Sequence, residues 1–185
     1  IYMILGLDIS TSIIGVTVLD KDGKIIKTDA LDLRNKNHYP DIYKKYEKVF
    51  EYIRSLRHQS WYDNDYKFTH VFIEQSLQMF RSGFSSAKTL STLSSFNGVV
   101  TYLCYRELGL KPEHLAASSA RKSCGIKIVK GTKAKEQVIK FLLDNEPKFT
   151  VEYTKSGNLK PRYYDIADSI VIARAGYEIC QSRKK

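Results

Sequence analysis

Four carboxylates in this sequence occupy positions that suit chemistry better than they suit folding. Asp8 lies inside a short, almost wholly apolar run, and Glu74 ends another one. Asp165 and Asp168 are three residues apart in a largely apolar helical segment, so both project from one helix face. An ionised carboxylate in apolar surroundings is costly unless a positive charge meets it. These residues therefore predict a shared cation site.

The ligand types indicate which cation such a site would hold. All are hard oxygen ligands without His or Cys, a set that suits Mg²⁺ or Mn²⁺. Two such ions about 4 Å apart cleave phosphodiesters, one activating water and the other stabilising the departing 3′ oxygen. For Asp165 and Asp168 a plainer alternative is a solvated helix face beside Lys160, Arg162 and Arg174. The apolar neighbours of both aspartates favour the metal site.

The elements that must position these acids follow from the apolar pattern. Continuous apolar runs between turn residues predict strands at 3–9, 13–19, 25–33, 71–74 and 114–117. Apolar spacing of three and four residues predicts helices from 40, at 86–108, at 132–144 and at 163–181. Ser118 or Ser119 is expected to cap a further short helix that ends at Cys124. This order predicts an α/β fold with a mixed sheet, in which an antiparallel 1-2-3 meander joins parallel strands and helices flank it.

Composition indicates a single domain, residues 1–185, with an anionic partner. The chain has 30 Lys plus Arg against 20 Asp plus Glu, a net charge of +10. This balance favours nucleic acid or an anionic membrane surface. No apolar run approaches the roughly 20 residues of a membrane span, so no membrane partner is expected. Without a targeting segment or a C-x-x-C pair, we expect a reducing compartment, either the cytoplasm or the host cell of a virus or phage.

Three segments resemble the RuvC family of Holliday junction resolvases, within the ribonuclease H-like superfamily. They are Gly6–Gly15, Phe72–Gln75 and Asp165–Ser169, in the family's order and across nearly the whole chain. The resemblance implies a ribonuclease H-like five-stranded sheet and makes Asp8, Glu74, Asp165 and Asp168 the ligands of two Mg²⁺ or Mn²⁺ ions. It also implies paired symmetric nicks in a four-way DNA junction, made by a homodimer whose symmetry matches the junction.

The same resemblance suggests residues that would contact DNA. Lys122 and Lys135 correspond to basic residues that act in catalysis beside the family's site, where a lysine could hold a phosphate or stabilise the pentacovalent charge. Lys135 next to Glu136 could instead be an ordinary exposed pair. Where the family often has a base-stacking aromatic, this chain has Leu77, and Phe80 or Phe84 could replace it. Phosphate contacts are expected from basic residues at eight positions: Arg81, Lys88, Arg121, Lys122, Lys127, Lys130, Lys133 and Lys135.

The long helix from Ser86 is the candidate dimer surface, through Leu93, Phe96, Val100 and Leu103. The alternative is that these side chains pack against their own sheet. Three other functions stay open: another nuclease of the same fold acting on branched DNA or RNA–DNA hybrids, a non-catalytic DNA-binding module, and an actin-like kinase fragment. The last is prompted by the first motif alone. Such kinases need a second glycine-rich phosphate loop, which this sequence lacks, so no nucleotide cofactor is expected.

Overall fold

The computed structural model describes residues 2–62, 67–76 and 86–183. Within them the strands are β1 (Tyr2–Ile9), β2 (Ile13–Leu19), β3 (Ile25–Asp32), β4 (Lys67–Glu74) and β5 (Glu113–Leu115). The helices are α1 (Ile42–Tyr62), α2 (Ala87–Leu108), α3 (Ala117–Ser123), α4 (Ala134–Asn145) and α5 (Arg162–Ser182). No helix in these ranges has the length and apolarity needed to cross a membrane.

The strands form one sheet in the order β3-β2-β1-β4-β5. The pairs β1–β2 and β2–β3 are antiparallel, whereas β1–β4 and β4–β5 are parallel. The predicted mixed sheet, a meander joined to parallel strands and flanked by helices, is confirmed. Because β1 and β4 are parallel neighbours, their carboxyl ends lie at the same edge of the sheet, where Asp8 and Glu74 are found.

Helices cover both faces of the sheet, which explains the continuous apolar runs of the central strands. Leu5, Leu7 and Ile73 belong to the core under α1 and α2, whereas Ile4 and Phe72 belong to the core under α3, α4 and α5. Successive strand residues point to opposite faces. Asp8 has the parity of Ile4, and Glu74 has the parity of Phe72. Both carboxylates therefore face α5.

Helix α5 approaches the sheet unusually closely, because glycines stand at the points of contact. A Cβ atom at Gly6 would lie 2.6 Å from the Cβ of Ala173. A Cβ atom at Gly15 would overlap the Asp165 carbonyl oxygen. Gly15 pairs directly with Asp8 in the β1–β2 ladder. The absence of a side chain at position 15 thus allows the first turn of α5 to lie beside Asp8.

Two details of the helices differ from expectation. The N-cap of α3 is Ala116, which makes no side-chain capping bond, and Ser118 and Ser119 lie inside the helix. The predicted serine cap is wrong because the helix begins directly after the short strand β5. In α2, Phe96 and Val100 are at most 1% exposed and belong to the chain's own core, so the packing alternative is correct for them, as it is for buried Leu103.

Candidate metal centre

Three of the four predicted ligands converge. Carboxylate oxygens of Asp8, Glu74 and Asp168 all lie within 4.8 Å of one another. Asp8 comes from β1, Glu74 from the end of β4 and Asp168 from the second turn of α5. Asp8 is only 9% exposed, which is rare for a carboxylate without a compensating charge. Three oxygen ligands from three elements form a concave acidic cluster that fits a hard divalent cation.

Asp165 lies next to this cluster but is not one of the three converging carboxylates. Its negative charge raises the pKa of Asp8 and of Glu74, which places its carboxylate within electrostatic range of both. It sits in the first turn of α5, where its main chain contacts Gly15. Asp165 is therefore placed to complete the cluster from the β2 side.

The raised pKa values of the carboxyl groups indicate that ionising them together is unfavourable without a cation. Burial, followed by repulsion from Asp168, raises the pKa of Glu74 to about 7. Burial also raises the pKa of Asp165 to about 6. Burial and the charges of Glu74, Asp168 and Asp165 raise the pKa of Asp8 well above its ordinary value. Without a cation the folded cluster retains protons near neutrality, and a divalent ion would replace them.

Two basic side chains partly offset the negative charge. Lys135 Nζ lies 3.5 Å from Asp168 Oδ2. The charge of Lys135 lowers the pKa of Asp8, Glu74, Asp165 and Asp168 alike. Arg121, at the end of α3, acts in the same direction on Glu74 and Asp168. The four carboxylates outnumber the basic side chains beside them, and this excess of acidic groups suits a divalent cation.

A buried hydrogen bond anchors α5 beside the cluster. Thr17 Oγ1 lies 2.7 Å from Ser169 Oγ, and Ser169 Oγ donates to the carbonyl oxygen of Ile166. Because the Ser169 hydrogen is committed to Ile166, Thr17 donates to Ser169. Both side chains are fully buried. This contact joins β2 to α5 immediately after Asp168 and fixes the position of that carboxylate relative to the sheet.

The other predicted site residues lie around the cluster or outside the described residues. Lys122 is exposed on α3, where Arg121 rather than Lys122 acts on the acids. Lys127, Lys130 and Lys133 are exposed on the connection between α3 and α4. A cavity of about 480 Å³ beside this connection is lined by Arg121, Lys122 and Lys127 among others. Lys88 is exposed in the first turn of α2. The predicted DNA contacts Phe80, Arg81 and Phe84, and Leu77 with them, fall outside the described residues.

One basic residue near the cluster was missed by sequence reasoning. Arg34 follows β3, and its charge lowers the pKa of Asp165. Its guanidinium is held by Asp32, with Nε to Oδ1 at 2.9 Å and Nη2 to Oδ2 at 2.5 Å. A signal was available, because β3 runs parallel to β1 in the predicted meander and must end at the same edge of the sheet. The acidic cluster therefore has basic side chains on two sides, Arg34 on one and Arg121 with Lys135 on the other.

The pH dependence of the unfolding free energy of the metal-free protein should reflect the cost of ionising this buried cluster. The raised pKa of Glu74, about 7, means that the folded state binds more protons than the unfolded state above pH 4. The stability contributed by this residue is complete below the unfolded pKa and is lost as pH rises through 7. We expect urea unfolding in EDTA to show a loss on the order of 3 kcal/mol from Glu74 between pH 4 and 8.

The control for this measurement is Glu74→Gln, which removes the titrating group and retains the shape. The fall in unfolding free energy with pH should be smaller in this variant by about the same amount. Millimolar Mg²⁺ at pH 8 should restore stability to the natural protein more than to the variant. Identical pH profiles for the two proteins would contradict the raised pKa.

Comparison with solved structures identifies the class of fold, which is that of RuvC-like resolvases. Thermus thermophilus RuvC in complex with a Holliday junction substrate matches with a TM-score of 0.61 at 12% identity, over 98% of this chain and 96% of that one. A second structure of Thermus thermophilus RuvC gives 0.59 at 13% identity, over 97% and 96% of the two chains. The yeast mitochondrial Holliday junction resolvase gives 0.54 at 18% identity, over 98% and 80%.

At these identities the likeness is one of fold. Neither the protein-family models nor the curated protein sequences give a match. The predicted ribonuclease H-like architecture of RuvC type is thus confirmed over nearly the whole chain.

Proposed function

We propose that this chain is a divalent-metal-dependent endonuclease that resolves four-way DNA junctions by paired, symmetric nicks. The observation that carries the proposal is the convergence of Asp8, Glu74 and Asp168 within 4.8 Å, at the carboxyl edge of a RuvC-like sheet. The fold is shared with a RuvC that was solved on a Holliday junction substrate. The net charge of +10 favours a polyanionic substrate. We further propose that residues 1–185 act as one nuclease domain.

The roles proposed for the acidic residues follow from their positions. Asp8, Glu74 and Asp168, with Asp165 beside them, would hold Mg²⁺ or Mn²⁺, and two ions is the number we propose. When bound, such ions supply an activated water and charge stabilisation at the departing 3′ oxygen. The buried carboxylates orient the scissile phosphate indirectly, by fixing where cations can sit above the sheet edge.

The basic residues would bind the phosphates. Lys135 and Arg121 are placed to contact oxygens of the scissile or adjacent phosphate as negative charge develops. Lys122, Lys127, Lys130 and Lys133 extend this surface along the α3–α4 connection, and Arg34 extends it on the other side. Contacts of this kind are salt-sensitive and independent of base sequence.

A homodimer would supply the second nick. The outward stripe of α2 is the surface we propose for it: Ser91, Ser95, Gly98, Tyr102 and Tyr105 recur at helical spacing and are exposed. Tyr102 and Tyr105 are 58% and 56% exposed, so this stripe offers two large aromatic side chains to a second helix. A Cβ atom at Gly98 would meet no atom of this chain within 4 Å, so a second helix has room to approach. This surface replaces the predicted one, whose members Phe96, Val100 and Leu103 are buried.

The test is cleavage of a synthetic four-way junction with and without Mg²⁺, with nicks mapped on each strand. We expect metal-dependent nicks at symmetry-related positions that leave a 5′ phosphate and a 3′ hydroxyl. A flap, a replication fork and an RNA–DNA hybrid serve as comparison substrates. Cleavage of the hybrid without cleavage of the junction would assign the chain to another nuclease type. Binding without cleavage in either metal would indicate a non-catalytic module.

Lys135 offers a matched pair of variants with Lys133. Lys135→Ala should lower the cleavage rate by about 10- to 100-fold. The substitution removes a positive charge that lies beside all four carboxylates and near the negative charge that develops on the scissile phosphate. Lys133 pairs with Glu136 at 3.2 Å, and Lys133→Ala removes the same charge two residues away. Its effect should be confined to a modest, salt-dependent loss of junction affinity. Equal losses of cleavage rate in both variants, measured with saturating enzyme, would refute a specific role for Lys135.

A further inference from the structure

Asn97 is a buried polar residue on the face of the sheet opposite the acidic cluster. It lies in the middle of α2, among core residues, and is 4% exposed. Its Nδ2 atom donates to the main-chain carbonyl oxygen of Glu74 at 3.2 Å. A buried amide is tolerated in an apolar core only when its groups are hydrogen-bonded. The Asn97 amide donates its hydrogen bond to Glu74, whose side chain is a proposed metal ligand.

The orientation of the Asn97 amide is set by its neighbours. His114, on β5, places Nε2 3.3 Å from Asn97 Oδ1 and 3.1 Å from Thr101 Oγ1. Because the Glu74 carbonyl oxygen can only accept, the NH₂ group of Asn97 faces it and Oδ1 faces His114, whose Nε2 then carries the hydrogen. Thr101 Oγ1 donates in turn to the main-chain oxygen of Asn97 at 2.8 Å. With Oδ1 held by His114, the NH₂ group points at Glu74.

The peptide bond that follows Glu74 is therefore held on both sides. Its carbonyl oxygen accepts from Asn97, and its N–H, which belongs to Gln75, donates to the carbonyl oxygen of Leu115 at 2.8 Å. Glu74 is the last residue of β4, and its register partner in β5 is Leu115. Fixing this peptide fixes the backbone of Glu74 and the direction of its side chain toward Asp8 and Asp168.

We propose that Asn97, oriented by His114 and Thr101, is a positioning residue that holds Glu74 in the geometry needed to bind a divalent cation. The inference rests on the proposed function, because it takes the acidic cluster as a metal site. Asn97 touches neither substrate nor metal, and it acts through the main chain of the ligand residue. Groups that hydrogen-bond a ligating side chain directly are typically worth 10- to 100-fold in metal affinity. Asn97 acts one step further away, through the main chain, so we expect an effect at the lower end of that range.

The test is direct Mn²⁺ binding, measured by the loss of the free-ion EPR signal on titration, with no DNA and no turnover. Asn97→Leu keeps the volume of the side chain and removes the donor. We expect its dissociation constant for Mn²⁺ to rise about tenfold. His114→Phe, on the edge strand, removes the group that orients the amide and leaves the core of α2 intact. This variant should raise the dissociation constant for Mn²⁺ by about threefold. It provides the test of the inference if Asn97→Leu does not fold.

The control separates positioning from loss of stability. Val100 lies on the same helix and is 1% exposed, and Val100→Ala opens a cavity without touching the network. At a temperature where all variants are folded, Val100→Ala should bind Mn²⁺ like the natural protein. Natural affinity in both Asn97→Leu and His114→Phe, or an equal loss in Val100→Ala, would overturn the inference. Failure of the natural protein itself to bind Mn²⁺ would overturn the proposed function, and this inference with it.

Discussion

Replacing Asp8 with asparagine is expected to lower the rate of junction cleavage by about 10³-fold or more while leaving junction binding nearly unchanged. Asp8 is the most deeply placed carboxylate of the cluster, and an amide cannot supply its charge to a divalent cation. Metal ions contribute several kcal/mol of transition-state stabilisation, and each 1.36 kcal/mol is tenfold in rate. Single-turnover cleavage and gel-shift affinity in Ca²⁺ separate the two quantities.

The control variant is Asp144→Asn, which makes the same change of charge at an exposed position of α4. It should cleave at the natural rate. Asp8→Asn should also unfold at higher temperature than the natural protein in EDTA, because burial, followed by repulsion from Glu74, Asp168 and Asp165, raises the pKa of Asp8 in the folded state and so makes its charged form costly. A variant that lost affinity for the junction in parallel with cleavage would contradict the role assigned to Asp8.

The second large effect is expected from Gly15→Ala, a change of one methyl group. The new Cβ would overlap the carbonyl oxygen of Asp165, a main-chain atom that a side-chain rotation cannot move aside. Helix α5 must then shift away from β2 and carry both Asp165 and Asp168 with it. We expect a loss of about 3 kcal/mol in unfolding free energy, at the upper end of overpacking effects, and loss of Mn²⁺ binding.

Gly98→Ala is the matched glycine substitution, because a Cβ atom at that helical position meets nothing within 4 Å in this chain. At a dilution where the proposed dimer is dissociated, it should stabilise the folded chain by roughly 0.5–1 kcal/mol through helix propensity, with Mn²⁺ binding unchanged. Urea unfolding and Mn²⁺ titration measure both variants. Natural Mn²⁺ affinity in Gly15→Ala would show that α5 does not depend on this close approach.

Local pattern was sufficient for the sheet and most of the helices. The continuous apolar runs predicted β1 and β2 within one residue, because both faces of these strands are buried. An Asp-Gly pair is a typical hairpin signal, and Asp22-Gly23 forms the turn after β2, where Gly23 adopts a φ of 77°. A glycine directly after a helical pattern is a typical C-cap, and Gly109 ends α2 in the left-handed conformation that such a cap requires.

Tertiary contacts account for what local pattern missed. Strand β4 begins at Lys67, earlier than its apolar core predicts, because backbone pairing with β1 extends across polar residues. Phe96 and Val100 could have packed in the core or formed a dimer surface. They are buried because their face of α2 is the one that meets the sheet. Arg121 and Lys122 are neighbours on the short helix α3, so which of them faces the acids depends on the rotation of that helix about its axis. The sequence does not specify this rotation.

For the candidate site, residue types predicted which carboxylates come together but not the residues that support them. A carboxylate inside an apolar run can be recognised from the sequence, and the structure brings Asp8, Glu74 and Asp168 together. Gly15 and Asn97 act only through α5 and through the end of β4, and no spacing in the sequence connects residue 15 to 165 or residue 97 to 74.

The order in which the cluster's parts occur along the chain has a consequence for biosynthesis. Asp8 and Glu74 are synthesised before Asp168, which is carried by α5. A growing polypeptide therefore has the complete acidic cluster only after α5 has been made, and a product that terminates before α5 has two of these carboxylates without the third. Premature stop codons and stalled ribosomes would accordingly release fragments that lack the complete cluster.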